Sequence, residues 1–185
     1  MKSKIKYISI ALLFAGLGLA SCSSVPVRED PPLAVVSHVD KKKYLGKWYE
    51  IARYPHSFEE NCYAVTADYK LLENGSIQVT NRCREGSLEG ELKEAVGTAY
   101  FVDSETNAKL EVTFFWPFYG DYWIIDLDEN YQYAVVSEPK RQYLWILSRM
   151  STMNASLYDQ LTAKLKKNGF DLSLLTKTPQ NSPKS

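Results

Sequence analysis

Period-two alternation, interrupted at short intervals by turn-forming residues, constrains this chain more than any other feature. In VTADYKL, Val65, Ala67, Tyr69 and Leu71 alternate with Thr66, Asp68 and Lys70, and in IQVTN, Ile77, Val79 and Asn81 alternate with Gln78 and Thr80. That is the pattern of half-buried strands. ENGS between them reads as a hairpin turn, because Asn74 and Gly75 accept positive φ. Further strands are predicted at 94–102, 108–116, 121–127, 131–137 and 143–149, separated by DSETNA, PFYG, DEN and EPKRQ. Counting YLGKWYEIARYP at residues 44–55 as the first gives eight. A meander of this number removes its exposed edges by closing, so the expected fold class is all-β, an eight-stranded antiparallel up-and-down β-barrel. A two-sheet sandwich is the competing architecture. One α-helix follows in NASLYDQLTAKLKKNGF, with Leu157, Leu161 and Leu165 on one stripe, Asn154 as its cap and Gly169 at its end. It is expected to pack on the outside of the barrel.

The ends define the remaining organisation. Lys2, Lys4 and Lys6 precede an apolar run from Tyr7 to Ala20, the layout of a secretory signal rather than a spanning helix. The run ends in LASC, which resembles a bacterial lipobox, so residues 1–21 are expected to be a lipoprotein signal peptide and Cys22 the acylated first residue. A single acyl chain holds a protein to a membrane only marginally, whereas two or more hold it firmly. Ser23 after the cysteine resembles an outer-membrane sorting signal. Residues 22–38, with VPVREDPP, read as the lipidated cysteine and an extended tether. Residues 39–178 form the barrel domain and 179–185 a flexible tail.

Charge and residue usage exclude several classes of function. The leader carries three of the 22 basic residues and no acid, so a cleaved chain has 19 basic residues against 22 acidic ones. Its longest basic run is KKK at 41–43, too little for a phosphate-backbone footprint, and no nucleic-acid partner is expected. With His38 and His56 as the only histidines, neither a metal site nor any other cofactor is expected. Cys62 and Cys83 remain once Cys22 is acylated, and in an oxidising compartment they read as one disulfide. A regular register from ENGS would set Cys62 nearer residue 87 than 83, so the pairing needs a bulge or a splayed strand end.

The inward faces suggest what the barrel is for. In KLEVTFFW the set Leu110, Val112, Phe114 and Trp116 opposes Glu111 and Thr113, and in YLWILSR, Tyr143, Trp145 and Leu147 share parity with Arg149. Tyr69 and Asn81 add one phenol and one amide. Apolar walls with a few polar groups suit a small-molecule site. They equally suit a barrel filled by its own side chains. Ser148 has no histidine on the later strands to activate it, and no glycine-rich phosphate cradle appears, so catalysis is not expected. Glu50 is a candidate acid without an assigned role.

GKWYEIARYP resembles the Gly-x-Trp motif of the lipocalins at Gly46 and Trp48, in the form found in bacterial outer-membrane members and the apolipoprotein D branch. YWIIDLDENYQYAVV resembles the second motif of that family through Asp128, Tyr131 and Ala134, and LWILSR the third through Arg149. The resemblance runs from about Val39 to Thr178. It implies that Trp48 plugs the closed base with Arg149 laid across its ring, a cation–π contact. It also implies three acyl chains on Cys22, and a pocket for fatty acids, lysophospholipids and similar amphiphiles at Tyr69, Asn81, Phe114 and Trp145. Trp116 and Tyr54 join that pocket by parity. The loops PHSFEEN and WPFYGDY are expected to flank the mouth, with Phe58 and Phe118 near membrane or acyl tail. The pattern departs from apolipoprotein D in lacking a cysteine toward the C-terminus.

Three functions remain. The first is a lipid-binding module anchored to the bacterial outer membrane and facing the periplasm, storing or carrying an amphiphile for envelope maintenance or stress response, as a monomer or weak homodimer. The second is a structural lipoprotein with a filled barrel that binds a protein partner through its loops. The third is an isomerase or de-epoxidase of this fold, for which Glu50 is the one candidate acid.

Overall fold

The computed structural model describes residues 32–181. Cys22 and the whole leader lie outside the described residues. Eight strands form the barrel: β1 (Gly46–Arg53), β2 (Cys62–Leu71), β3 (Ile77–Glu85), β4 (Leu92–Phe101), β5 (Lys109–Phe115), β6 (Phe118–Leu127), β7 (Tyr133–Ser137) and β8 (Leu144–Ser148). Each pairs antiparallel with the next, and β1 pairs with both β2 and β8, which closes the cylinder. The barrel is therefore the expected one, and the sandwich is excluded.

Three features depart from the expected layout. A one-turn helix α1 (Lys41–Tyr44) precedes β1, capped by Asp40, whose Oδ1 accepts from the amides of Lys42 and Lys43 at 2.9 and 3.2 Å. The expected PFYG turn shrinks to Trp116 and Pro117, and Phe118, Tyr119 and Gly120 begin β6. A ninth strand, β9 (Thr176–Lys177), pairs with the upper end of β1 at Ala52 and Arg53.

That ninth strand fills a gap. β1 and β2 pair only through Gly46–Tyr49 and then separate. The chain end enters the opening: Thr178 donates its amide to Ile51, Ala64 donates to Pro179, and Gln180 Nε2 donates to the carbonyls of Glu50 and Val65, both at 2.8 Å. Backbone groups that the separated strands leave bare are thus satisfied by residues 176–180. At the other end of the domain, Leu33 is buried, Val35 and Val36 pack against the core, and Val36 donates its amide to Ile124. Packing thus extends past both sequence-derived boundaries, into the expected tether and the expected tail.

The interior and exterior cores are distinct. Inside, Trp48, Ile77, Leu110, Ile124 and Leu147 fill the lower half with Tyr44 and Tyr69. Outside, the second helix α2 (Ala155–Lys167) lays Leu161 and Leu165 against Ala52, Leu144 and Ile146. Asn154 Oδ1 accepts from Ser156 at 2.9 Å, and Gly169 ends the helix at φ +85°.

Trp48 is fully buried at the base and accepts the Arg149 guanidinium on its face at 3.7 Å from the ring centroid. Arg149 also donates to the carbonyls of Lys43 (2.7 Å), Lys47 (2.8 Å) and Tyr131 (3.2 Å). Gly46 turns into β1 at φ +86°, where a side chain is strained. Asp128 holds the β6–β7 turn by accepting from Asn130 and Gln132, and Tyr131 accepts the Asp40 amide on its hydroxyl at 2.8 Å. The five motif positions thus meet at the closed end. Replacing Arg149 with alanine is expected to cost about 2–4 kcal/mol, because it removes charge-assisted bonds to three carbonyls together with the ring contact; a urea midpoint within error of wild type would contradict this role.

Cys62 and Cys83 form the disulfide, with Cα atoms 5.4 Å apart. The bulge it needs lies between Tyr63 and Thr66, where Ala64 takes φ +49° and Cys62 falls opposite Glu85. The bridge closes a separation of 21 residues, so Cys62→Ser with Cys83→Ser is expected to lower stability by about 3 kcal/mol in the chain-entropy account. Chemical denaturation of the two forms measures it.

Candidate functional site

Strand direction fixes which end is open. Trp48 and Arg149 sit at the base with the 72–76 and 128–132 turns, so residues 54–61, 86–91, 116–117 and 138–143 surround the mouth. The floor below it is a chain of phenols: Tyr44 and Tyr69 each share a hydrogen bond with the Tyr122 hydroxyl, at 2.7 and 2.8 Å. Burial raises all three well above the usual phenol range, so they are neutral hydrogen-bonding groups.

Above the floor the barrel is open. Ala99 and Val112 pair on the inner face, which puts Gly97 and Phe114 on that face one step higher. The Phe114 ring lies over Gly97, where an added Cβ would meet it at 2.8 Å. Phe114 is nevertheless 44% exposed. A residue that points inward and still meets solvent defines a cup rather than a filled core. Trp145 lines the same cup, with its ring parallel to Tyr143 at 5.8 Å. Asn81 sits between Ala67 and Ala95 on the inner face, with its buried Oδ1 lacking a hydrogen-bond partner within the protein.

Two expected pocket residues lie elsewhere. Tyr54 is 3% exposed and packs edge-on against Phe170, in the outer core with α2. The cause is a register shift between Glu50 and Ala52, which reverses the inward parity of β1 and turns Tyr54 out and Arg53 in, opposite Trp145. Trp116 is 76% exposed in the β5–β6 turn, because β5 ends at Phe115 after a second shift. It stands on the rim beside Phe115 and Phe118, whose rings stack at 6.2 Å.

The same shift assembles a cluster at the mouth. Glu50 is 2% exposed and faces inward. Arg53 Nη1 donates to Glu50 Oε1 at 2.8 Å and to Thr178 Oγ1 at 3.0 Å, Arg53 Nη2 donates to the Glu59 carbonyl at 2.9 Å, and Thr178 donates its hydroxyl to Glu50. Glu59 Oε2 lies 3.6 Å from Arg53 Nε and 3.3 Å from His56 Nε2. The His56 ring stacks on Phe58 at 3.7 Å and approaches Trp145 at 5.4 Å. Beside this cluster a pocket of about 450 Å³ is lined by Arg53, His56, Ser57, Glu59, Asn61 and Thr176, among others. The sequence carries no signal for this cluster: residues three apart in a regular strand point to opposite faces, and only the register shift between Glu50 and Ala52 brings Glu50 and Arg53 to one side.

Burial, then the neighbouring Glu59 charge, pushes Glu50 up to about 8, against the pull of Arg53 and Thr178. Burial pushes His56 down to about 4. From pH 4.5 to 8 the folded chain holds a Glu50 proton that the unfolded chain has released, so stability falls as pH rises through that window. His56 works the other way, losing stability as pH falls from 6.5 to 4. Between pH 6.5 and 8 the Glu50 slope is therefore unopposed by His56, at up to about 1.4 kcal/mol per pH unit. Thermal melts should show wild type weakening across that range and Glu50→Gln nearly flat; parallel profiles would contradict the assignment.

An eight-stranded meander sealed at one end by an indole and open at the other is a calyx, a barrel built to hold a guest. Residues 39–180 match the family described as a lipocalin-like domain, and the chain belongs to the lipocalin family. It is 44% identical over 168 residues to the outer membrane lipoprotein Blc of Vibrio cholerae, covering 90% of this chain and 95% of that protein. Identity to the protein of the same name in Escherichia coli K12 is 41% over 166 residues, covering 89% and 91%. Mouse apolipoprotein D is 38% identical over 173 residues, covering 88% and 84%. Among solved structures, insecticyanin from Manduca sexta shares the fold with a TM-score of 0.65 at 18% identity, over 83% of this chain and 87% of that one.

Proposed function

We propose that this protein is a lipid carrier or store, held to the bacterial outer membrane through acyl chains on Cys22 and receiving a single-chain amphiphile in the upper half of its barrel. The observation that carries this reading is the inward-facing, solvent-exposed Phe114 above a packed floor. The names of the Vibrio cholerae and Escherichia coli relatives support the anchoring. A barrel facing the periplasm and a service in envelope maintenance or stress response accord with it.

The packed lower half limits how far a tail descends. Inner positions from Val79 to the rim span about 15–20 Å at roughly 3.3 Å per residue. About ten methylenes buried there contribute up to about 8 kcal/mol before ordering losses, which corresponds to affinity in the micromolar range or weaker. No charged pocket is needed for that. The filled lower half is also what favours the competing reading, a lipoprotein that uses its loops to bind a protein partner.

Titration with a lysophospholipid, followed by tryptophan fluorescence, separates the two. Trp145 should be quenched, and Trp145→Arg or Phe114→Glu should weaken binding about tenfold or more with an unchanged circular dichroism spectrum. Equal affinity in these variants would remove the cup from the binding site.

A further inference from the structure

The upper barrel wall is closed by a piece of chain that takes almost no part in either core. Of Thr176–Gln180 only Thr178 is buried, and none of the five residues joins the inner or the outer apolar cluster. Directly before them Phe170 and Leu175 do pack into the outer core, which sets a pivot at Leu175. The segment is held by hydrogen bonds: Thr178 to Ile51, Ala64 to Pro179, and Gln180 to Glu50 and Val65. Stretches with few buried apolar contacts are those that open locally, well below the free energy of global unfolding. We propose that Thr176–Gln180 is a releasable strap, latched on Glu50, whose detachment opens the barrel wall beside the cup. The inference does not depend on what the cup holds.

The geometry supplies both the opening and the latch. β1 and β2 pair only from Gly46 to Tyr49, so with the strap lifted their upper parts stand two strand spacings apart, about 10 Å. That window lies level with Arg53, which is opposite the cup residue Trp145. Thr178 faces inward at this level, where its hydroxyl donates to Glu50 and accepts from Arg53 Nη1 at 3.0 Å. The strap is therefore fastened from within by one strand residue and its guanidinium partner.

Charge decides when the latch gives. The carboxyls of Glu50 and Glu59 share a hydrogen bond, and both lie against Arg53. With the proton on Glu50, one carboxylate balances one guanidinium. Without it, two carboxylates face one guanidinium out of water, and hydration is gained most readily where only the strap closes the wall. Glu50 is faced by Arg53 from its own strand, by Glu59 and His56 from the loop above, and by Thr178 and Gln180 from the strap. β2 and β8 bring the uncharged Val65, Thr66, Trp145 and Leu147, and Lys177 is turned outward onto the Tyr158 ring at 4.5 Å. Burial beneath the closed strap pushes Glu50 up to about 8, against 4.5 for a solvated carboxyl, so the open form binds fewer protons and gains as pH rises through that window. His56, held down to about 4, opposes this only below pH 6.5.

Hydrogen exchange on the full-length protein from pH 6.5 to 8 tests the strap, with each rate divided by that of a free amide to give an opening equilibrium. The Thr178 and Ala64 amides, one on each side of the seam, are expected to open together and about a hundredfold more often than the slowest amides of β7. Their opening should grow by up to about tenfold per pH unit, because one proton leaves with each opening. Glu50→Gln keeps an acceptor for Thr178 and a donor for Glu59 but cannot ionise, and it should abolish that growth. Thr178→Val, which removes the latch hydroxyl, should raise opening about tenfold at pH 6.5. Strap amides as protected as those of β7, or a wild-type opening that ignores pH, would overturn the proposal. So would a pH dependence in Glu50→Gln equal to that of wild type. Should Glu50→Gln fail to fold, the wild-type profile and Thr178→Val decide.

Discussion

The seating of the Arg149 guanidinium on the Trp48 ring is the contact on which this barrel depends. One side chain, just after the last barrel strand, covers the largest fully buried residue and ties down α1, the start of β1 and the β6–β7 turn through their carbonyls. Arginine suits this position because its planar fork can lie flat on an aromatic face while its edges donate hydrogen bonds in several directions. A lysine could balance the charge but could not span three carbonyls. With the base sealed in this way, the opposite end is free to stay open.

The asymmetry between the two ends extends to their chemistry. The lower half is apolar and dense, with a line of neutral phenols as its upper surface. The mouth holds four ionisable groups, of which three have pKa values moved by burial toward their neutral forms. Such groups persist in a low-polarity setting because they share one proton and one guanidinium. A single inserted residue in β1 creates this arrangement: it turns Arg53 in, turns Tyr54 out to the helix, and leaves the separation between β1 and β2 that the chain end fills.

Much of this was readable from the residues alone. Eight alternating segments specified the barrel, the Leu157, Leu161 and Leu165 stripe with Asn154 and Gly169 specified α2 and both its ends, and the motif residues located the sealed base. Those features are local, or recur with a fixed period. Tyr54 and Trp116 were misplaced because parity was carried across a bulge and past a strand end, and one extra residue reverses every face that follows. Cys62 and Cys83 announced their bulge by failing a regular register. The mouth cluster was invisible for another reason: Glu50, Arg53, His56 and Glu59 lie on a strand and a loop, and Thr178 reaches them from 125 residues beyond Arg53. No periodicity reports a meeting of that kind.

The insertion of Thr176–Gln180 into the barrel seam bears on how the molecule comes into being. β1, the first strand of the barrel, finds its full complement of neighbours only when Thr178, 125 positions beyond Arg53, has been made. Until then a nascent or truncated polypeptide keeps two unsatisfied strand edges, which invite association with other chains. Closure of the barrel thus couples its first strand to a segment far along the chain, and the seam is complete only when both are present.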